Sequence, residues 1–229
     1  MRMLLRRVAS HALDALLPQQ CAACARSLEG AGVLCPKCLA AIPALSLAVC
    51  ARCLAGGREP VGCLAHPDFL VWPAWVYDLR AEQVVHALKF EGRRALARDL
   101  GPVLACAARH LAGADLVSEL PLHRARQRER GYNQAALLAA ALSDSLAVPR
   151  LPGVLERHRS TLAQARLGGA MRRENLAGAF RVVRPQWVHG RRIILVDDVI
   201  TSGATLEAAM VALKEAGAHP VAVTLAWAQ

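Results

Sequence analysis

The sequence predicts an α/β fold with a central parallel sheet, preceded by a small zinc-ribbon-like module. Three observations carry this. Seven of the eight cysteines fall between Cys21 and Cys63, and six of those seven form Cys-x-x-Cys pairs. From about residue 70 onward, short β-rich runs alternate with helical periodicity, the pattern of an α/β domain. Within that part Ile193, Ile194, Leu195 and Val196 form an unbroken apolar run, suited to a parallel strand buried on both faces. A chain of 229 residues with 55% hydrophobic and 20% charged residues is neither disordered nor fibrous, and is long enough for one or two domains.

The elements follow in order. Leu4, Leu5, Val8, Ala12, Leu13, Leu16 and Leu17 recur at helical spacing until Pro18, so residues 1–20 hold a short amphipathic helix. Packing on its own protein suits it better than a membrane surface, which one such helix would hold only weakly. Residues 21–68 are rich in Cys, Gly and Pro and poor in periodicity, as expected of a mini-domain organised by metal. A linker around residues 67–73 leads to a domain over residues 70–229. There VWPAWVYDL reads as a strand or hairpin arm, AEQVVHALKF and LARDLGPVLACAARHLA as helices, and ADLVSELPL as a strand. The helix NQAALLAAALSDSLAV, a polar stretch over 157–175, strands AFRVV and RRIILVDDV, helix TLEAAMVALKEAG and strand HPVAVTLAWA complete it.

Charge is unevenly spread. The chain carries +10 overall, and residues 121–192 alone sum to +10 with 14 arginines and no lysine. Guanidinium suits bidentate contact with phosphate or carboxylate oxygens, so this block implies a phosphate-rich partner, a polyphosphorylated small molecule or a nucleic acid. The N-terminus has no continuous apolar core and places Arg6 and Arg7 inside its apolar stretch, unlike a secretory signal. Free thiols then point to a reducing, cytoplasmic location, and no run of some 18 apolar residues would cross a membrane.

The cysteine spacing is Cys21-x2-Cys24, ten residues, Cys35-x2-Cys38, eleven residues, Cys50-x2-Cys53, nine residues, then Cys63-x2-His66. Two sulfurs on a tight knuckle can reach one ion at about 2.3 Å, so eight such ligands would close two tetrahedral zinc sites with no open position. That is structural zinc rather than catalytic zinc. Sequential pairing gives Cys21, Cys24, Cys35 and Cys38 one ion and Cys50, Cys53, Cys63 and His66 the other; a crossed pairing, or His66 as a solvated surface residue, remains open at this point. A thiol-redox reading lacks the expected βαβ context. Cys106, in an Ala-rich helix, is expected to be a buried apolar residue.

The stretch 191–217 is the most informative. Asp197 and Asp198 follow the buried run together, and the crevice at the carboxyl end of an α/β sheet is where ligands bind. Two carboxylates there are costly without partners. Thr201, Ser202, Gly203, Ala204 and Thr205 then lead into a helix with Leu206, Met210 and Leu213 on its apolar face. Gly203 permits close backbone approach, and hydroxyls with unpaired helix N–H groups can surround a phosphate. An acidic turn with an N-capping Thr would explain only one residue of this run. Acids for ribose hydroxyls beside amides for phosphate read as a sugar-phosphate site.

Residues 194–205, ILVDDVITSGAT, resemble the phosphoribosyl pyrophosphate (PRPP) motif of type I phosphoribosyltransferases. Together with LPLH at 120–123, RGYNQ at 130–134, Thr161, Gln164, Leu167, Arg172, Asn175, Ala179 and Phe180, the chain resembles the ComF family of competence-related proteins from about residue 18 to its end. Lys89 fits the lysine that family carries after its first helix. The sequence has Tyr132 where Phe is usual, Ser202 where a second Thr is common, and His66 where a cysteine is usual. The resemblance implies a type I phosphoribosyltransferase fold behind a zinc module. It also implies that Asp197 and Asp198 bind ribose hydroxyls directly or through Mg2+, and that Thr201, Ser202, Gly203, Ala204 and Thr205 hold the 5′-phosphate. Pro121, Leu122, His123 and Arg124 would form the pyrophosphate loop, with Lys89 nearby. Arg130, Asn133, Gln134, Thr161, Gln164, Arg172 and Asn175 would supply hood or anion contacts.

Arg124, Arg126, Arg128 and Arg130 occupy alternate positions, so an extended segment would aim all four one way, around pyrophosphate. The later arginines to Arg173 lie on a candidate flap that would exclude water from the ligand. PRPP bears about five negative charges, fewer than these arginines could match, which leaves room for single-stranded DNA. Tyr132 is the only aromatic in residues 121–170, so no stacking platform for bases is evident. Two functions remain: a transferase displacing pyrophosphate at ribose C1, with the acceptor unreadable, or an adaptor that binds a ribose phosphate or DNA and recruits a competence helicase or uptake machinery through its zinc module. The resemblance implies a role in DNA uptake, with a metabolic phosphoribosyltransferase as the alternative.

Overall fold

A computed structural model of the chain describes residues 19–28, 32–111, 113–158, 176 and 178–229. The N-terminal amphipathic helix and the flap residues Thr161, Gln164, Arg172 and Asn175 lie outside the described residues. The cysteine-rich part carries helix α1 (Pro36–Ala41) and strand β1 (Val49–Cys50), which runs directly into helix α2 (Ala51–Ala55). A 3-10 turn at Pro67–Phe69 leads to β2 (Leu70–Val76), α3 (Leu79–Phe90) and α4 (Leu96–Ala107). Then come β3 (Leu116–Glu119), α5 (Arg124–Arg130), α6 (Gln134–Leu146), β4 (Leu155–Arg157) and β5 (Phe180–Val182). The chain closes with β6 (Arg192–Ile200), α7 (Ala204–Glu215) and β7 (His219–Trp227).

The main sheet has the order β1-β2-β7-β6-β3, with β2, β7, β6 and β3 parallel and β1 antiparallel at one edge. The run anticipated from residues 193–196 is β6, an inner strand flanked by β7 and β3. Alternation along β6 sends Ile194 and Val196 into the core shared with α3, α4 and α6, and Ile193 and Leu195 into the core shared with α7. The strand AFRVV anticipated at 179–183 forms outside this sheet, pairing with β4 in a two-stranded ribbon.

Asp78 caps α3 by accepting from the Arg80 and Ala81 amides, and Asn133 caps α6 by accepting from the Ala135 amide. At Gly101 helix α4 passes so close to α6 that an added Cβ would lie 2.7 Å from the Ala141 carbonyl oxygen, which fixes how tightly those two helices meet.

The composition changes near residue 70, yet the packing runs across that point. β1 pairs with β2, Phe69 is buried, and Cys50, Ala51 and Cys53 share a core with Leu195, Leu206 and Met210. Cys21, Cys35 and Cys38 likewise join the core under α3 and α4. Two expectations are corrected. Cys106 is exposed rather than buried, because it lies on the outer face of α4, with an Arg109 N–H 3.5 Å from its sulfur. The arginines of residues 124–130 are helical, not extended. At 100° per residue, Arg124 and Arg128 share one face of α5 and Arg126 and Arg130 another.

Candidate functional site

β6 is longer than its neighbour β3. The β3 ladder ends at Glu119 opposite Val196, whereas β7 accompanies β6 to Ile200. Asp197 and Asp198 therefore stand where one side of β6 has lost its partner, still within the strand rather than past its end. This is the crevice in which open α/β sheets bind ligands.

Period-two alternation puts Asp198 on the α3 face with Ile194 and Val196. There Lys89, in the last turn of α3, brings its Nζ to 2.9 Å from Asp198 Oδ1. Asp198 is 3% exposed, and its second oxygen, Oδ2, is buried without a hydrogen-bond partner. An orphaned carboxylate oxygen is unfavourable in the unliganded protein, and a ligand hydroxyl or a cation would satisfy it. Asp197 Oδ1 accepts from the Asp198 amide at 2.8 Å. Burial and the charge of Asp198 push the Asp197 carboxyl up to about 8, against that amide, Lys89 and Arg157. Arg157 is held below its usual range by burial and by Arg126, with Asp197 acting the other way.

Three residues past β6 the chain turns at Gly203, which has φ +71 and stands at the N-cap of α7 with no side-chain cap. Neither Thr201 nor Thr205 is the cap. The unused α7 amides, with Thr201 exposed and Ser202 and Thr205 half-buried beside them, form the loop expected to hold phosphate. Gly203 is required for a second reason. A Cβ there would lie 2.6 Å from the Ala51 carbonyl oxygen, so α2 of the cysteine-rich module presses directly on this loop. Arg52 of α2 adds an ion pair at 2.9 Å to Glu207, which is buried in the first turn of α7.

Ala51 and Arg52 lie between Cys50 and Cys53, so the knuckle against the turn at Gly203 is itself part of a ligand group. The structure brings together Cys21, Cys24, Cys35 and Cys38 as one group and Cys50, Cys53, Cys63 and His66 as another, each with ligand atoms within 4.8 Å. The arrangement is sequential, not crossed. Bonds of about 2.3 Å in a tetrahedron require edges of about 3.8 Å. The Cys24 and Cys35 sulfurs are 3.9 Å apart, and His66 Nδ1 is 3.7, 3.5 and 3.4 Å from the sulfurs of Cys50, Cys53 and Cys63. The donor set and spacing fit zinc in both groups. Without a cation the thiols cannot ionise together: burial and neighbouring sulfurs push Cys38 and Cys53 up to about 12.

The expected pyrophosphate loop borders a smaller cleft of about 270 Å³, lined by Pro121, Leu122 and Arg124 with Asn133, Glu156 and Arg157. His123 caps α5, its Nδ1 accepting from the Ala125 amide at 3.3 Å. Arg124 is tied to Glu156, which Arg181 also contacts at 2.7 Å. Asn133 donates to the Leu120 carbonyl at 2.9 Å besides capping α6, and buried Gln134 accepts from Arg130. In this arrangement Asn133 holds the backbone at the start of the loop, and Gln134 holds the Arg130 side chain. Arg52, Glu207 and Ala51 were invisible in the sequence, since 155 residues separate the ion pair and no local pattern links them.

A mostly parallel sheet in which an inner strand carries paired carboxylates near its carboxyl end, followed by a tight turn before a helix, is the arrangement of a phosphoribosyltransferase-type domain. Residues 133–229 match the phosphoribosyl transferase domain and residues 12–63 the double zinc ribbon domain. The DNA utilization protein YhgH of Escherichia coli O157:H7 is 32% identical over 217 residues, covering 89% of this chain and 87% of that protein. Competence protein F of Haemophilus influenzae is 35% identical over 147 residues, 61% of this chain and 64% of that protein. Among solved structures, the glutamine PRPP amidotransferase of B. subtilis aligns with a TM-score of 0.39 and 20% identity over 78% of this chain and 31% of that longer chain. The chain belongs to the ComF family, with a double zinc ribbon joined to a phosphoribosyltransferase domain.

The ligand geometry predicts two zinc ions per chain by metal analysis of the purified, desalted protein. A value of one would remove Cys50, Cys53, Cys63 and His66 from the ligand set.

Proposed function

We propose that the chain binds PRPP together with Mg2+ at the end of β6 and serves in DNA utilisation and uptake, in the cytoplasm. The observation that carries this reading is the Asp198 carboxylate, buried with one oxygen on Lys89 and the other unpartnered, a short step before an uncapped helix start. The orphaned oxygen fits a ribose hydroxyl or a hydrated divalent cation, both of which Asp197 would share. Such a cation would neutralise pyrophosphate charge and orient the ribose. Lys89, held at Asp198, would face the diphosphate as a point charge. The α7 amides with Thr201, Ser202 and Thr205 would take the 5′-phosphate through charge-assisted hydrogen bonds. The names of the relatives, a DNA utilization protein and a competence protein, support the cellular role.

If transfer follows, a nucleophile forms a bond to ribose C1 while the C1–O bond to pyrophosphate breaks and pyrophosphate leaves with that electron pair. Charge stabilisation by Lys89 and neighbouring arginines would then act on the leaving group.

A second reading, in which the chain acts as a DNA-binding adaptor for a helicase, is favoured by Arg128. It is exposed on the α5 face opposite Arg126 and makes no ion pair among the described residues. Single-stranded DNA binding should weaken with salt, and Arg128→Ala should lower the slope of log affinity against log salt by about one. An unchanged slope rejects that contact.

Calorimetric titration of PRPP tests the first reading. Binding is expected with Mg2+ and not without it, and Asp198→Asn should weaken it about 10- to 100-fold while its melting curve stays cooperative. Undiminished affinity in that variant refutes the assigned site.

A further inference from the structure

Among the described residues two acidic side chains are buried, Asp198 and Glu207, and they stand on either side of the turn at Gly203. Each meets a cation that another element delivers. Lys89 of α3 lies 2.9 Å from Asp198, and Arg52 of α2 lies 2.9 Å from Glu207. Asp198 has its place in the ribose-phosphate reading. Glu207 has none, yet it carries a carboxylate in the first turn of the helix whose start would hold a phosphate. We propose that Arg52 is a positioning residue of that phosphate site, cancelling the charge of Glu207 so that α7 accepts an anion. The inference rests on the ribose-phosphate reading and names what controls the same site.

The positive end of a helix attracts anions, and a carboxylate within its first turn competes for the same field. Burial strengthens that competition, because salt and water screen a buried charge poorly. Glu207 is 3% exposed, so without Arg52 its carboxylate would oppose a phosphate dianion at the start of α7. The Arg52 guanidinium is well placed to remove that opposition. Its Nε meets Glu207 Oε1, and its face lies 3.8 Å from the ring centre of buried Phe69. Edge and face are both engaged, which fixes the group without closing a cleft.

Stability alone does not call for this arrangement. A buried ion pair gains little or nothing over a well-packed apolar pair, so a fold that needed only to join α2 to α7 could do so with two apolar residues. What the pair adds is a charge balance beside an anion site. The cysteine-rich module sets that balance, because Arg52 lies between Cys50 and Cys53, whose amide and sulfur close the knuckle at 3.4 Å. The Ala51 carbonyl of the same knuckle limits the space at Gly203. Shape and charge at the start of α7 therefore both come from α2, and the module contributes to ligand affinity across the 155 residues that separate Arg52 from Glu207.

The test titrates ribose 5-phosphate, and PRPP with Mg2+, into the zinc-loaded full chain by calorimetry. Arg52→Met keeps an apolar stem against Phe69 and removes the charge, and should weaken both ligands about tenfold. Glu207→Gln leaves Arg52 unopposed and should bind ribose 5-phosphate about threefold more tightly than wild type. The double variant, with neither charge, should return to within about threefold of wild type. A purely mechanical tie predicts the reverse, with weaker binding in Glu207→Gln and no recovery in the double variant. Equal or weaker binding in Glu207→Gln, a double variant as weak as Arg52→Met, or unchanged affinity in Arg52→Met would each overturn the proposal. Metal analysis accompanies every variant. If Arg52→Met loses a metal ion, Glu207→Gln decides alone, tighter binding supporting the proposal and equal or weaker binding overturning it. A wild-type chain that binds neither ligand overturns the ribose-phosphate reading itself. A wild-type chain that binds both, with Arg52→Met unaffected, overturns only the role given to Arg52.

Discussion

The rest of the molecule depends on one close contact, the approach of the Ala51 carbonyl to Gly203. It leaves no room for a Cβ at residue 203 and holds the turn before α7 in a left-handed conformation that glycine adopts without strain. Ala51 follows a metal ligand, Cys50, directly, so the position of that carbonyl is set by the knuckle of the second ligand group. The Arg52 ion pair to buried Glu207 fastens the same knuckle to the first turn of α7. A structural metal, worth about 10–16 kcal/mol of folding free energy in isolated zinc modules, is thereby connected to the geometry of the turn before α7.

The sheet supplies the complementary half of the site. Because β6 continues beyond the end of β3, its last residues keep hydrogen bonding to β7 while opening a notch on the other side. Two carboxylates can stand there only because α3 delivers Lys89 to one of them and because Asp197 is driven toward its neutral form by burial and by its neighbour. One oxygen of the Asp198 carboxylate, Oδ2, is buried without a hydrogen-bond partner. The knuckle against Gly203, Lys89 of α3 at Asp198 and α5 along the smaller cleft come from widely separated parts of the chain.

Much of this was legible in the sequence where the signal is local. The apolar run at 193–196, the carboxylates after it and the small residues at 201–205 sit within one short stretch, and the cysteine pairs declare themselves by spacing. The pairing of the ligand groups, the partner of Asp198 and the contact of α2 with Gly203 depend on contacts between distant segments and carry no local pattern. The arginines at 124–130 misled for a different reason. Alternate charges look like one face of an extended strand, but His123 caps the segment and Gly131, with φ +77, ends it, so seven residues close into a helix and split the charges between two faces. Cys106 misled because composition alone does not say which face of an Ala-rich helix meets the core.

The claim that the second ligand group builds the phosphate loop is most directly tested by amide hydrogen exchange of residues 201–207 in Cys63→Ser, which removes a half-buried ligand on the far side of that group from α2 in sequence. With one metal lost, the account predicts faster exchange in this stretch, with the Glu207 amide that donates to Gly203 among those affected, while protection in α4 and α6 is unchanged. Unaltered exchange at 201–207 in a protein shown to have lost that metal would contradict it.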